Sequence, residues 1–198
     1  MARNNERSEA TRVALMEAAL QVTADVGVRG VTHRRVAQQA GVALGVTSYH
    51  YASIDELLLE AFSLWVSRMS AKWEARFLSA KTEEDVLQAA VSIISAQHGD
   101  KNDRILLYEL YAQTVRDSNY HELAANWSQV TRASIERLYS PTVAQQLEAA
   151  WEGLAVQLVM GGSIEKVEQG EALLRLVLQQ EQPRIREGVD LAELDLTL

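Results

Sequence analysis

The stretch from Thr32 to Ser53 limits the possible folds more than any other part of the chain. It reads as two short helices. One starts at a Thr32 N-cap and runs through Val36, Ala37 and Ala40; the other covers about Leu44 to Tyr51. Gly41-Val42 is the tight turn between them, with Gly41 free to take the left-handed backbone that such a turn needs. Ala37 is small where two helices must approach closely, and Val42 fills the corner. Ser53-Ile54-Asp55-Glu56 then matches the Ser-x-x-Glu capping box. It opens a long helix carrying Leu57, Leu58, Phe62, Trp65, Met69 and Trp73.

The flanking sequence is helical as well. A first helix from Ser8 to about Val26 places Val13, Met16 and Leu20 on one stripe, and Gly27 ends it. Acidic residues at Glu83, Glu84 and Asp85 suit the start of a helix reaching about Gln97, and His98-Gly99-Asp100 breaks the chain. Further helices cover about 103–116 and 120–139. Ser140-Pro141 is a strong helix start for a segment reaching Met160, Gly161-Gly162-Ser163 stops it, and a last helix runs from Glu165 to about Gln180. No segment alternates as a strand would, and two prolines in 198 residues suit an all-α chain.

Two short helices with a tight turn, the second free to project, form a helix-turn-helix suited to the major groove of duplex DNA. At about 100° per residue, Thr47 and Tyr51 share the inward face. Gly45 and Tyr49 lie opposite them, Leu44 and Ser48 flank on one side, Val46 lies on the other, and His50 sits near the inner edge. Gly45 lets the backbone approach a groove closely. Tyr49 offers a ring to a thymine methyl and a hydroxyl to a phosphate, and Arg34 and Arg35 can reach phosphates or a guanine edge. The expected contact set is Thr32, His33, Arg34, Arg35, Ala43, Leu44, Gly45, Ser48, Tyr49 and His50. A formal net charge of −8 is no obstacle to this reading. Residues 1–53 hold six basic and four acidic side chains, so the acidity belongs to the remainder.

These residues carry a resemblance. Thr32, Ala37-Gln38-Gln39-Ala40-Gly41-Val42, Gly45, Tyr49-His50-Tyr51 and Ser53-Ile54-Asp55-Glu56-Leu57-Leu58 are similar to the DNA-binding domain of TetR/AcrR-type bacterial regulators. The resemblance covers about 50 residues. It implies that Thr32 and Arg34 contact backbone or bases, that Leu44, Gly45, Tyr49 and His50 face the groove, and that Tyr51 packs inward. Two positions depart from the pattern. Thr47-Ser48 stands where the family usually has Leu-Tyr, losing a tyrosine that commonly touches phosphate, and Ile54 replaces a frequent lysine.

The resemblance also implies the organisation of the whole. A helix-turn-helix DNA-binding domain (1–53) precedes a helical effector-binding and dimerisation domain (54–182) and a flexible tail (183–198). Effector candidates among the middle helices are Trp65, Met69, Trp73, His98, Tyr108, Tyr111, Gln113 and Trp127. With few fixed charges standing out, a small, mostly apolar or aromatic effector is expected. The stripes Leu147, Trp151, Leu154, Leu158 and Leu173, Leu174, Val177, Leu178 are the expected homodimer interface. Two reading helices about 34 Å apart match successive major grooves of a palindromic operator.

The implied function is a ligand-responsive repressor, released from DNA by its effector. The alternative is a TetR-like activator, or a DNA-bound organising or adaptor protein without a small ligand. An aromatic-lined cavity favours the first, and a filled, polar interior favours the adaptor. No cysteine is present, no H-E-x-x-H, G-x-S-x-G or phosphate-loop pattern occurs, and the four histidines are scattered. Neither an enzyme, a metal site nor a cofactor is expected. The polar N-terminus is no signal peptide, and no apolar run approaches a membrane span, so the expected location is the cytoplasm.

Overall fold

The computed structural model describes residues 2–161 and 164–184, and the side chains of residues 6–94, 100–161 and 170–184. The effector candidate His98 and the tail beyond residue 184 therefore lie outside the described side chains. Among the described residues the chain is all-helical: α1 (Ala2–Val26), α2 (His33–Ala40), α3 (Leu44–His50), α4 (Ile54–Ser79), α5 (Glu83–Gly99), α6 (Lys101–Thr114), α7 (Ser118–Glu136), α8 (Pro141–Val159) and α9 (Ile164–Leu178). A single 3-10 turn, Val28–Gly30, joins α1 to α2. Among the described residues no helix is long and apolar enough to cross a membrane.

Side-chain caps start the helices where the sequence places them. Thr32 Oγ1 accepts from the Arg35 amide and Ser140 Oγ from the Val143 amide, each satisfying an amide that has no partner within its helix. The capping box at α4 closes in both directions. The Glu56 amide donates to Ser53 Oγ at 3.1 Å, and the Ala52 amide donates to Glu56 Oε2 at 2.8 Å. Asp100 and Asp117 cap α6 and α7 in the same manner. The first helix begins at Ala2 rather than Ser8, because the polar residues before Ser8 carry no helix-stopping signal.

Head and body share one core. Leu15 and Val36 of the head join Leu57 and Phe62 of α4, which continue into Leu110 and Trp151 of the body. The long α4 runs through both, packing on α1 at one end and along α7 further on, while α8 packs on α9 and α5. Polar links tie the head to α4. Arg12 donates to Glu60 Oε1 and Oε2 at 2.6 and 2.5 Å, and the Tyr51 hydroxyl donates to Glu60 Oε2 at 3.0 Å. The Arg12 guanidinium also lies 4.9 Å from the Tyr51 ring centroid, close enough for a cation–π contact. Burial, with Glu60 beside it, pushes the Tyr51 hydroxyl well above its ordinary pKa, so it stays a neutral donor. Arg68 of α4 pairs with Glu17 of α1.

Gly27 marks the other head–body contact. Its backbone, at φ 75° and ψ 162°, lies in a region that side-chain-bearing residues essentially avoid. A Cβ there would stand 3.0 Å from Glu109 Oε1 of α6. The residue ends α1 as expected, and also lets the head seat closely on the body.

Candidate functional site

The reading helix is turned as its periodicity predicts. Thr47 and Tyr51 are fully buried, and the Thr47 hydroxyl donates to the Leu44 carbonyl at 2.8 Å. A polar residue is thus accommodated where the family pattern has leucine, with its hydrogen bond satisfied locally. On the opposite face Tyr49 is 84% exposed and Leu44 51% exposed, with Ser48 and Ala43 also outside. Nothing lies within 4 Å of a Cβ built on Gly45. His50 is half-buried, its ring edge-on to Tyr49 with centroids 5.1 Å apart. Gly41 takes the left-handed conformation, φ 67° and ψ 29°, that the turn requires.

The brace helix α2, which packs behind the reading helix α3, contributes unequally. Arg34 is exposed and makes no hydrogen bond or ion pair among the described residues. Arg35 instead donates to the Gly30 carbonyl at 2.5 Å, which ties it to the preceding turn. His33 is half-buried at the first position of α2. Ile54 packs against the core rather than standing off the head as a lysine would.

In the body, one cavity of about 340 Å³ opens among α4, α6, α7 and α8. Of the expected effector residues it gathers Trp73, Tyr111 and Trp127. Trp65 and Met69 are not in its lining. Trp65 is buried, and its indole nitrogen donates to Asp103 at 2.8 Å. Tyr108 and Gln113 line a different recess, a shallower one of about 590 Å³ where the end of α1 meets α6. Trp73 and Trp127 are tilted against each other with centroids 5.1 Å apart, and Trp127 is edge-on to Trp65.

The expectation of few fixed charges needs correction, because Glu148 and Glu152 of α8 both face this cavity. Ser128 of α7 donates to Glu148 Oε1 at 2.7 Å, and Arg132 Nε lies 3.6 Å from Glu148 Oε2. The Tyr111 hydroxyl donates to Glu152 Oε2 at 2.9 Å. Burial raises the pKa of both carboxyls. For Glu152 the Tyr111 bond opposes the rise and the nearby Glu148 charge adds to it. The sequence did hold a signal: Glu148 and Glu152 are an i, i+4 pair straddling Trp151 in an otherwise mostly apolar helix.

The expected dimer stripes also need correction. Leu147, Trp151, Leu158, Leu174 and Val177 are buried within their own subunit, as is Leu178. Trp151 lines the cavity and stacks on Phe77, centroids 5.9 Å apart. Leu154 packs on Gly170 of α9, where an added Cβ would sit 3.0 Å from Leu154 Cδ1. Of those residues only Leu173 is exposed. The bulkiest stripe of each helix feeds the subunit's own core. The exposed apolar side chains of this helix pair are instead Val156, Val159 (which also lines the recess beside α6), Met160 (81% exposed), Leu173 and Leu176 (64% exposed).

A helix-turn-helix head, continuous through one helix with a cavity-bearing body, is the architecture of a DNA-binding transcription regulator. Residues 15–61 match the family described as bacterial regulatory proteins, tetR family. The whole fold is similar to solved regulators. A putative transcriptional regulator, SCO7518 from Streptomyces coelicolor A3(2), is 28% identical with a TM-score of 0.77, over 85% of this chain and 98% of that one. The multidrug binding protein EbrR, solved with ethidium, is 28% identical with a TM-score of 0.72, over 84% of this chain and 97% of that one. The TetR-family member SCO1917 from Streptomyces coelicolor A3 is 27% identical with a TM-score of 0.69, over 84% and 97%. No curated protein sequence matches the chain. Residues 15–61 thus carry the helix-turn-helix of the tetR family, and the chain as a whole has the fold of these regulators.

Proposed function

We propose that the protein is a ligand-responsive repressor that binds a palindromic operator as a homodimer and leaves it when a small molecule fills the body cavity. The observation that carries this reading is the aromatic-lined cavity whose wall includes Trp73 of α4, the helix that begins at the capping box of the reading head. A ligand that prefers a different tilt of α4 changes the separation of the two heads. A differential affinity of a few kcal/mol suffices to shift the equilibrium. The EbrR complexes with proflavin and ethidium support a small-molecule effector in a fold of this kind. The cavity disfavours the adaptor alternative, which calls for a filled interior.

DNA is read by Gly45 and Tyr49 with Leu44, Ser48 and His50 beside them. Arg34 and the Thr32 end of the brace helix hold the backbone, while Arg35, His33 and Ala43 play lesser parts. The dimer forms through the outward α8–α9 face, Val156, Val159, Met160, Leu173 and Leu176, which would otherwise leave an apolar patch in water. The test is selection of binding sites from random duplex DNA with the purified protein, followed by a screen for compounds that release the selected site. Enrichment of a two-fold symmetric sequence is expected. Enrichment of no sequence would sink the DNA-reading assignment, and a site that no cavity-binding compound releases would sink the gating.

A further inference from the structure

Building on the ligand-gated reading, we infer that the body cavity selects flat organic cations, with Glu152 as counter-ion and the tryptophans as the stacking surface. A neutral aromatic effector would need only the rings. This cavity adds two carboxylates one helical turn apart on α8, an arrangement that is repulsive by itself. Of the two, only Glu148 has an ion-pair partner among the described residues, Arg132, at 3.6 Å with Glu148 18% exposed. Among the described residues Glu152 has two neutral neighbours to offset its charge, the Tyr111 hydroxyl and the Trp151 indole, and no ion pair. The cavity as built therefore carries a carboxylate with hydrogen-bond donors but no cationic partner against aromatic walls, an arrangement that a cation would improve.

The walls point the same way. Trp73 and Trp127 are nine-tenths or more buried, line the cavity, and have indole N–H groups with no acceptor among the described residues. A ligand ring face or acceptor atom would complete them. Indole faces are also the best aromatic partners for a cation. A volume of about 340 Å³ lies in the range of small-molecule pockets. Charge at the site is set by Glu148 and Glu152 from α8, Arg132 from α7, and the phenols of Tyr111 and Tyr108 from α6, both of which burial keeps neutral. The balance is one net negative charge when both carboxyls are ionised. Because burial raises both carboxyl pKa values, a permanent cation should bind more tightly as the pH rises from mildly acidic to neutral.

The probes are N-methylacridinium, a permanent flat cation, and acridine, its neutral near-isostere at neutral pH. Binding to the full chain is read by calorimetry and by quenching of tryptophan fluorescence. The cation should bind roughly thirtyfold more tightly than acridine, and Glu152→Gln should remove most of that preference. Acridine affinity should stay within about twofold in the same variant, which reports that the cavity is intact. Glu148→Gln should lower the preference less, since Arg132 already offsets that charge. Equal binding of the two probes to the native protein would overturn the inference, as would a preference that survives both substitutions. The operator-release assay separates this inference from the gating. If acridine binds as well and releases DNA, the gating stands and the charge selection falls. If only the cation binds, yet DNA stays bound, the charge selection stands and the gating falls.

Discussion

Replacing Gly45 with alanine sets fold stability against DNA reading. Gly45 is the second residue of α3, has no unusual backbone angle, and would meet nothing within 4 Å if given a Cβ. Alanine in a helix interior is favoured over glycine by up to about 1 kcal/mol, and so near a helix start a gain of about 0.5 kcal/mol is reasonable. For a chain of this length that is a rise in Tm of about 1–2 °C. On the proposed reading the face that Gly45 shares with exposed Tyr49 is turned to the groove, so the same methyl would stand between helix backbone and base edges. Losing the equivalent of one good base contact costs about 1–3 kcal/mol, roughly five- to 150-fold in affinity. Gly45→Leu should retain the fold and weaken binding further. The assays are thermal unfolding followed by circular dichroism, and fluorescence anisotropy on the selected operator at fixed salt. If both variants stay folded and bind the operator within about twofold of the native chain, Gly45 does not face the groove and the orientation of α3 is wrong.

Other outcomes follow from the same geometry. Gly27→Ala forces a side chain into a backbone region reserved for glycine and against Glu109, and should lower stability by about 1–3 kcal/mol in chemical denaturation. Tyr51→Phe removes the hydrogen bond to Glu60 while keeping the buried ring; because that carboxylate is partly exposed, a loss of about 1 kcal/mol is expected by the same measurement. Glu152→Gln should stabilise the ligand-free protein by about 0.5–1 kcal/mol at neutral pH, since it removes a buried like-charge pair and keeps an acceptor for Tyr111. The native state holds the Glu152 proton more tightly than the unfolded chain, so this residue's contribution to stability falls as the pH rises from the ordinary value of 4.5 upward. Melts across pH should show a shallower decline in the variant. Leu176→Glu, on the outward face of α9, should yield a folded monomer by light scattering and abolish cooperative operator binding.

What the sequence made legible was local. Thr32, Ser53 and Ser140 cap helices by bonding amides two or three residues away, so their effect needs no knowledge of the fold. The angle between Thr47 and Tyr49 on a seven-residue helix told inside from outside, because only one face of so short a helix can be buried. Where a helix has neighbours on several sides, the same reasoning ran out. On α8, Leu147, Trp151 and Leu158 form the most apolar stripe, the pattern expected of a dimer interface. That stripe is inward because α5, α7 and α9 all lie against α8, while the apolar residues left exposed on α8 and α9 are sparser. Glu152 is hidden from sequence reasoning for a related reason. A glutamate in a long helix is ordinarily solvated, and only the arrival of Tyr111 from α6 and Trp73 from α4 makes it a buried charge.

The continuity of α4 sets a mechanical advantage. From Ile54 at the head to Trp73 at the cavity the helix rises about 28 Å, at 1.5 Å per residue. Pivoting it by about five degrees at the cavity end would swing the Ser53 end through roughly 2–3 Å over that rise. Displacements of a few tenths of an ångström around the tryptophans thus become movements comparable to a hydrogen-bond length at the reading helix. A molecule can on this account act as a strong signal by being slightly too thick for the space, and tightness of binding and strength of response need not rank ligands in the same order.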